Sequence, residues 1–257
     1  MAKKKIIFIH QNFPAQFKHL AKFMSEDKKY DVHSLSLSNL KPSLDNSPIL
    51  KGMDKISHHK YQIKTSSSEN IHSLAMEFET KMIRAEAAAK KCFELKNNGL
   101  EPDLIISHPG WGELYFIKDI WPDTKLLSYF EFYYSSKGAD VGFDTNEPYT
   151  PKLDNNLFFR LRARNAPGMM SYLDSDSLIS PTNYQKSTAP NILHRKINVI
   201  HDGIETDIIK PQKNSYLKFT HMGKEIKLSN KDKIITFVSR NLELYRGYHI
   251  FMRSLPL

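Results

Sequence analysis

Apolar residues recur along this chain in two rhythms, short unbroken runs alternating with longer stretches in which they return every three or four positions. Runs of four to eight bounded by polar turns read as buried strands, and the 3.6-residue period reads as helix. The first run, 6–9, predicts a strand. Phe17, Leu20, Ala21 and Met24 then mark one face of a helix, with Pro14 suited to its first turn. A second strand is expected over 31–37. The stretch 39–68, rich in Pro, Ser, Asn and Lys, is expected to be irregular apart from a short strand. Over 69–96 the pattern is helical, with Ile71, Leu74, Ala75, Phe78, Met82, Ala85, Ala89 and Cys92 on one stripe and Asn97-Asn98-Gly99 as its stop. Strands follow over 104–107 and 125–132, with a helix over 113–120 between them. A long helix over 153–173 is expected to kink or split at Pro167-Gly168. Strands over 178–180 and 197–200 flank a helix beginning near Thr182.

Strand and helix alternate throughout, which predicts an α/β fold: a Rossmann-like, doubly wound parallel sheet with helices on both faces. From Ile234 a further apolar run leads into a polar turn with Arg240 and Arg246. A glycine and an amphipathic stretch carrying Ile250, Phe251 and Leu255 follow. That is the opening βα unit of a second α/β domain. The expected division is a first domain over 1–209, a lysine-rich connector over 210–233 and an incomplete second domain over 234–257.

A net charge of +9 raises nucleic acid as a partner. The excess is local, however: seven lysines lie between Lys210 and Lys233 against Glu225 and Asp232 alone, the signature of a solvated connector. Nucleic-acid binding is therefore set aside, while a peripheral contact with anionic lipid head groups stays open. The single cysteine, Cys92, falls on an apolar helix face and reads as a buried hydrophobe in a reducing compartment. The apolar run after Lys3-Lys4-Lys5 is too short for a signal core, so the cytoplasm, with its membrane face, is the expected location.

In an open parallel sheet, ligands bind beyond the carboxyl ends of the strands. Polar residues gather there: His10-Gln11-Asn12 after the first strand, His108-Pro109-Gly110-Trp111-Gly112-Glu113 after the central one, Glu131 after the next, and His201-Asp202-Gly203 after the last. Gly110 and Gly112 fit either a tight turn around a packed indole or a place where a ligand nears the backbone. Glu131, among aromatic residues, must be partnered, protonated or functional. The histidines show no metal-ligand spacing, so no metal is expected, and His58-His59 reads as solvent-facing.

The segments 8–20, 108–113, 129–134, 160–165 and 180–182 resemble those of the retaining glycosyltransferases of family 4, which have the GT-B fold of two facing Rossmann-like domains. Val199-Ile-His-Asp-Gly-Ile-Glu-Thr-Asp207 resembles that family's domain-closing turn, with Asp202 for Asn and Glu205 for Asp. The resemblance implies transfer of a sugar from a nucleotide-diphosphate donor to an acceptor hydroxyl, the acceptor being a glycan or lipid-linked, with no cofactor beyond the donor substrate. It implies catalytic parts for His108 and Glu131, at the acceptor hydroxyl or beside the developing positive charge on the sugar. It also places Arg240 and Arg246 on the donor diphosphate, where fixed cations stabilise the leaving group without a metal. His10, Gln11, Asn12, Gly110, Trp111, Gly112, His201, Asp202 and Gly203 would line the cleft. Three departures stand out. Asn12-Phe13-Pro14-Ala15 replaces the family's glycine-rich turn, Glu131 stands where many members carry histidine, and the family's E-x₇-E segment downstream of Arg246 is not found. The chain is thus expected to be incomplete or inactive alone, or to be a non-catalytic acceptor-binding module paired with a separately encoded donor domain.

Overall fold

The computed structural model describes residues 2–38, 53–135, 141–144, 146–148 and 154–256. Two compact units divide the chain, Met1–Gly203 and Ile204–Leu257. The first is built on seven parallel strands: β1 (Lys4–Ile9), β2 (Tyr30–Leu37), β3 (Ser57–Tyr61), β4 (Leu104–Ser107), β5 (Lys125–Tyr129), β6 (Ser177–Ser180) and β7 (Ile197–Val199). Their order is β3-β2-β1-β4-β5-β6-β7. Three strands run leftward from β1 and four rightward from β4, so the winding reverses between β1 and β4. This is the doubly wound, Rossmann-like order, and the reversal opens a crevice at the carboxyl ends of those two strands.

Register shows which residues face which layer. Ile7, Ile105 and Leu126 are aligned across β1, β4 and β5. They pack against Ala88, Ala89, Cys92 and Leu95 of α2 (Met76–Asn97) and Ile117 and Ile120 of α3 (Ile117–Ile120). Alanines on the buried face of α2 let it lie close to the sheet. On the opposite face Phe8 and Ile106 meet Ala21 and Met24 of α1 (Lys18–Glu26). A third cluster joins Leu178 and Ile197 to Tyr172 of α4 (Asn155–Asp174) and, beyond the short α5 (Asn183–Thr188), to Leu193 of α6 (Asn191–His194). Each fully buried Ile or Leu stabilises the unit by roughly 1.5–3 kcal/mol. Cys92 lies in this core, where burial pushes its thiol up to about 12.

Several expectations need correction. Helix α2 begins at Met76, not at 69: the residues before it form turns, and only from Ala85 onward does its stripe meet the sheet. The helix expected over 113–120 is mostly turn, because Gly112 at φ +106 breaks the backbone direction and helical geometry returns only at Ile117. Strand β5 stops at Tyr129, short of 132, since β6 pairs with it only as far as Tyr129. Helix α4 is not split at Pro167. Proline removes one hydrogen bond, but Leu157 and Leu161 before it and Ser171 and Tyr172 after it are buried, and this packing holds both halves. Leu20, assigned to the buried face of α1, is exposed. His58 is exposed, as expected, and His59 half-buried, but both lie on strand β3 rather than in a loop, and both are engaged. His58 bridges Ser34 Oγ and the Met53 carbonyl, and His59 stacks on His33 at 5.4 Å, because β3 pairs in register with β2. Of the irregular stretch expected over 39–68, residues 39–52 lie outside the described residues.

The second unit departs further from expectation. The lysine-rich stretch is not merely a connector: it folds into an antiparallel hairpin of β8 (Tyr216–His221) and β9 (Lys224–Ser229). Met222 and Gly223 both have positive φ at its two-residue turn, as a tight hairpin requires. Leu217 and Phe219 face Leu228 and Ile226 across the pair, while Lys218 and Lys227 occupy the other side, so the lysines hid an amphipathic alternation. No strand forms among the described residues over 234–239. Phe237 instead packs its ring, tilted, at 5.3 and 5.1 Å against Tyr248 and Phe251 of α7 (Tyr248–Ser254).

Candidate functional site

The reversal between β1 and β4 brings His10 and His108 together. Each follows the last residue of its strand, each is buried, and their ring centroids lie 5.5 Å apart. Both use Nδ1 in the same way: His10 accepts the Asn12 amide at 2.9 Å and His108 the Gly110 amide at 3.0 Å. His201 repeats the device with the Gly203 amide at 3.0 Å. A histidine at a strand end thus closes its own turn through Nδ1. For His108 this fixes the neutral tautomer, because Nδ1 must be the acceptor, so Nε2 carries the proton. That proton is donated to Glu131 Oε2 at 3.0 Å. The carboxylate is partnered, yet its side chain is 56% exposed and open to a ligand.

His10 is held neutral. Burial above all, with the nearby His108 assisting and Glu131 opposing, lowers it to about 3. Tyr129 completes the group: its ring stacks on His108 at 5.6 Å, and its hydroxyl donates to both Asp202 carboxylate oxygens at 3.1 Å. Burial first, then Asp202, raises its pKa. His201, Asp202 and Gly203 themselves are exposed, Gln11 is buried, and Asn12 is exposed.

The turn after β4 has a packing rationale. A β-carbon on Gly110 would meet His108 Cε1 at 2.5 Å, and one on Gly112 would collide with the Lys81 carbonyl of α2. The backbone approach these glycines permit is therefore to the protein's own ring and helix. Trp111 between them is not a packed indole: it is 41% exposed, with the Arg84 guanidinium 5.9 Å from its ring.

Two residues were given no role in the sequence reading. Tyr129 looked like a strand aromatic, and only the crossover to β7 brings Asp202 to it. Glu113, fully buried, accepts the Tyr61 hydroxyl at 2.7 Å on Oε1, while Oε2 has no partner among the described residues. Burial raises its carboxyl pKa against the pull of Tyr61, Arg84 and His108. A glutamate closing a Gly-Trp-Gly turn at a strand end was the available signal. Arg240 and Arg246 belong to the other unit. Arg246 ends a short turn before Gly247 and pairs with Glu243 at 3.2 Å, and Arg240 is exposed in a bend.

The carboxyl edge of this parallel sheet thus gathers histidine, carboxylate and tyrosine. The model of the glycosyl transferase family 4 group matches residues 39–209, and the chain belongs to that family. Curated proteins gave no match. Among solved structures, a UDP-glucosyltransferase from Polygonum tinctorium is similar at 7% identity and TM-score 0.47, over 78% of this chain and 52% of that one. UGT2 of Phytolacca americana, complexed with UDP-2fluoro-glucose and pterostilbene, is similar at 11% identity and TM-score 0.44, over 70% of this chain. The match spans 47% of that protein, about half its length. A sucrose-phosphate synthase fragment from Thermosynechococcus elongatus aligns at 13% identity and TM-score 0.44, over 79% and 91% of the two chains. Among the described residues no helix is long and apolar enough to cross a membrane.

Proposed function

We propose that unit Met1–Gly203 is the acceptor side of a retaining glycosyltransferase that moves a sugar from a nucleotide-diphosphate donor to an acceptor hydroxyl. The observation that carries this reading is the His108–Glu131 contact at the crevice where the sheet's winding reverses. Glu131, an acceptor when ionised, receives the hydrogen bond of the incoming hydroxyl. His108, tautomerically fixed by Gly110, positions that carboxylate. His10, neutral beside them, adds no charge to repel a developing oxocarbenium ion. In the bond change, the acceptor oxygen joins the anomeric carbon on the face from which the diphosphate departs, the bond to the diphosphate oxygen breaks with its electron pair, and the hydroxyl proton passes to Glu131. Arg240 and Arg246 are assigned to that departing diphosphate on the family resemblance. The protein is placed in the cytoplasm, where nucleotide sugars would be its substrates.

The test is a transfer assay with uridine, guanosine and adenosine diphosphate sugars, with the anomeric configuration of the product read by NMR. Product of retained configuration, with kcat lowered about 10²-fold or more by Glu131→Gln and KM little changed, supports the reading. An inverted product, or a variant as active as the parent, overturns it.

A second reading, that this chain pairs with a separate donor-domain polypeptide, draws on the second unit, where Ile235 and Val238 are 76% and 91% exposed. Running the same assay with and without co-purifying chains separates the two.

A further inference from the structure

At the β3 edge of the sheet, away from the crevice, parallel pairing of β2 with β3 brings His33 and His59 together. His33 stands opposite Ser57 and Leu35 opposite His59, so both rings project from one face, and Leu35 places that face under α2. A cavity of about 420 Å³ opens there, walled by both histidines, Asp31, and Lys91 and Glu94 of α2. Lys5 of β1 and Leu100 before β4 also line it. It therefore lies towards the amino ends of the strands, whereas His10 and His108 follow carboxyl ends. The two histidines are 26 residues apart, so spacing along the chain gives no sign of them as a pair.

The two rings share one proton. His33 Nδ1 and His59 Nε2 lie 3.1 Å apart, with ring planes only 11° from parallel. The buried Nε2 of His33 has the Asp31 carboxylate at 3.3 Å, which favours a proton on that nitrogen. Nδ1 of His33 is then the acceptor and Nε2 of His59 the donor. Burial above all, then His33, then Lys91, holds His59 below the ordinary imidazole range, so that ring is neutral at pH 7. The Lys91 ammonium is itself held by Glu94 at 2.6 Å.

Two facing imidazole nitrogens, one ring backed by a carboxylate, have the donor set of a transition-metal site. Nitrogens about 2.0–2.1 Å from a tetrahedral ion stand roughly 3.3 Å from each other, close to the separation found here. Small rotations of the rings turn both lone pairs off their shared line and into the cavity. We propose that His33 and His59 are the protein ligands of a divalent transition-metal ion, zinc or copper(II), that enters in place of their shared proton. Asp31 orients His33 from behind, Glu94 supplies an acidic wall, and water completes the coordination. The proton of His59 passes from Nε2 to Nδ1, so the ring stays neutral. Imidazole selects such ions, whereas magnesium and calcium take oxygen ligands. The bound ion clips edge strand β3 to β2, and the site is independent of sugar transfer.

Untagged protein stripped with EDTA is titrated in a calorimeter with copper sulfate, zinc chloride or magnesium chloride alone, and copper EPR identifies the donor atoms. One equivalent of copper(II) is expected to bind at micromolar concentration with nitrogen superhyperfine splitting, zinc more weakly and magnesium not at all. The melting temperature should rise by about 5 °C at a hundredfold excess over Kd. His33→Gln and His59→Gln should each weaken binding about 10-fold or more, and Asp31→Asn about 10-fold. His58→Gln, next along β3 but on the other face, should leave it unchanged. His59 is half-buried on an edge strand, and unchanged circular dichroism checks that its variant folds. Four outcomes overturn the proposal: no copper or zinc binding below roughly 100 μM, a copper spectrum with oxygen donors only, magnesium binding as tight as copper, or binding that His59→Gln weakens no more than His58→Gln does.

Discussion

In the first unit Ile105 sits at 0% exposure between β1 and β5, while in the second Val238, part of an equally apolar run, stands 91% exposed. Both runs have strand composition. Ile105 is paired on both sides, by β1 and β5, and covered by α2 and α3. Over 234–239 no pairing strand exists among the described residues, and only Phe237 finds aromatic partners in α7. Apolar runs acquire a strand's geometry from their neighbours, because an unpaired strand leaves its amides and carbonyls to water. The same difference accounts for where chemistry gathers. Only a paired sheet has a fixed carboxyl edge on which side chains from separate strands can be held within hydrogen-bond reach.

The largest effect that could break this comparison is in native-state hydrogen exchange. Amides of Ile7, Ile105 and Leu126 are expected to exchange more slowly than those of Ile235 and Val238 by a factor on the order of 10⁴. Equal protection in the two places would mean that the 234–239 run is paired in solution. Next comes a matched pair of truncations followed by urea unfolding. Ile105→Ala is expected to cost about 2–5 kcal/mol, whereas Val238→Ala should stay within about 0.5 kcal/mol.

This contrast also marks what could be read in advance. Strand 104–107 was legible to the residue because three apolar positions and a serine between polar turns admit little else. The run from Ile234 looked the same, and nothing local in it records whether a partner exists. The strand-end histidines were legible because topology alone sends strand ends to one edge. Which of them touch was not: the His108–Glu131 contact spans 23 residues and the Tyr129–Asp202 contact 73. Gly110 and Gly112 were visible as a turn, but that they make room for the His108 ring and the Lys81 carbonyl emerges only once α2 is packed. Lysines in 216–229 read as solvation because charge masked a period-two alternation whose apolar half is short.

Acid should sharpen the comparison, since the first unit carries its titratable groups buried at the crevice. Folded His10 stays neutral down to about pH 3, while an unfolded imidazole takes up a proton near 6.5. Between these values the unfolded state binds more protons, so stability is whole above pH 6.5 and falls as pH drops towards 3. His10 alone should remove about 2–3 kcal/mol by pH 4.5, and His58 and His59, lowered by burial, act in the same direction. His10→Asn keeps an acceptor for the Asn12 amide and does not titrate. Urea melts of this variant should show a flatter acid limb, and an unchanged limb would mean that His10 is protonated in the folded protein.

Glu113 should produce the smallest effect, with the opposite sign. Its folded carboxyl is raised by burial, so the unfolded state releases its proton first as pH rises through about 4.5. Stability from this group is complete below that point and is lost as pH climbs towards the folded value. Glu113→Gln keeps the acceptor for the Tyr61 hydroxyl and removes the titration. The variant should therefore match the parent at pH 4.5 and exceed it at pH 8 by up to about 1 kcal/mol, the scale of one net hydrogen bond. Arg84 is the group that could reverse this, since its charge already pulls on the carboxyl and its Nε has no partner among the described residues. A Glu113→Gln protein that is less stable than the parent at pH 8 would mean that Glu113 is ionised there and held by Arg84. The turn after β4 would then be tied to α2 by charge as well as by the close approach of Gly112.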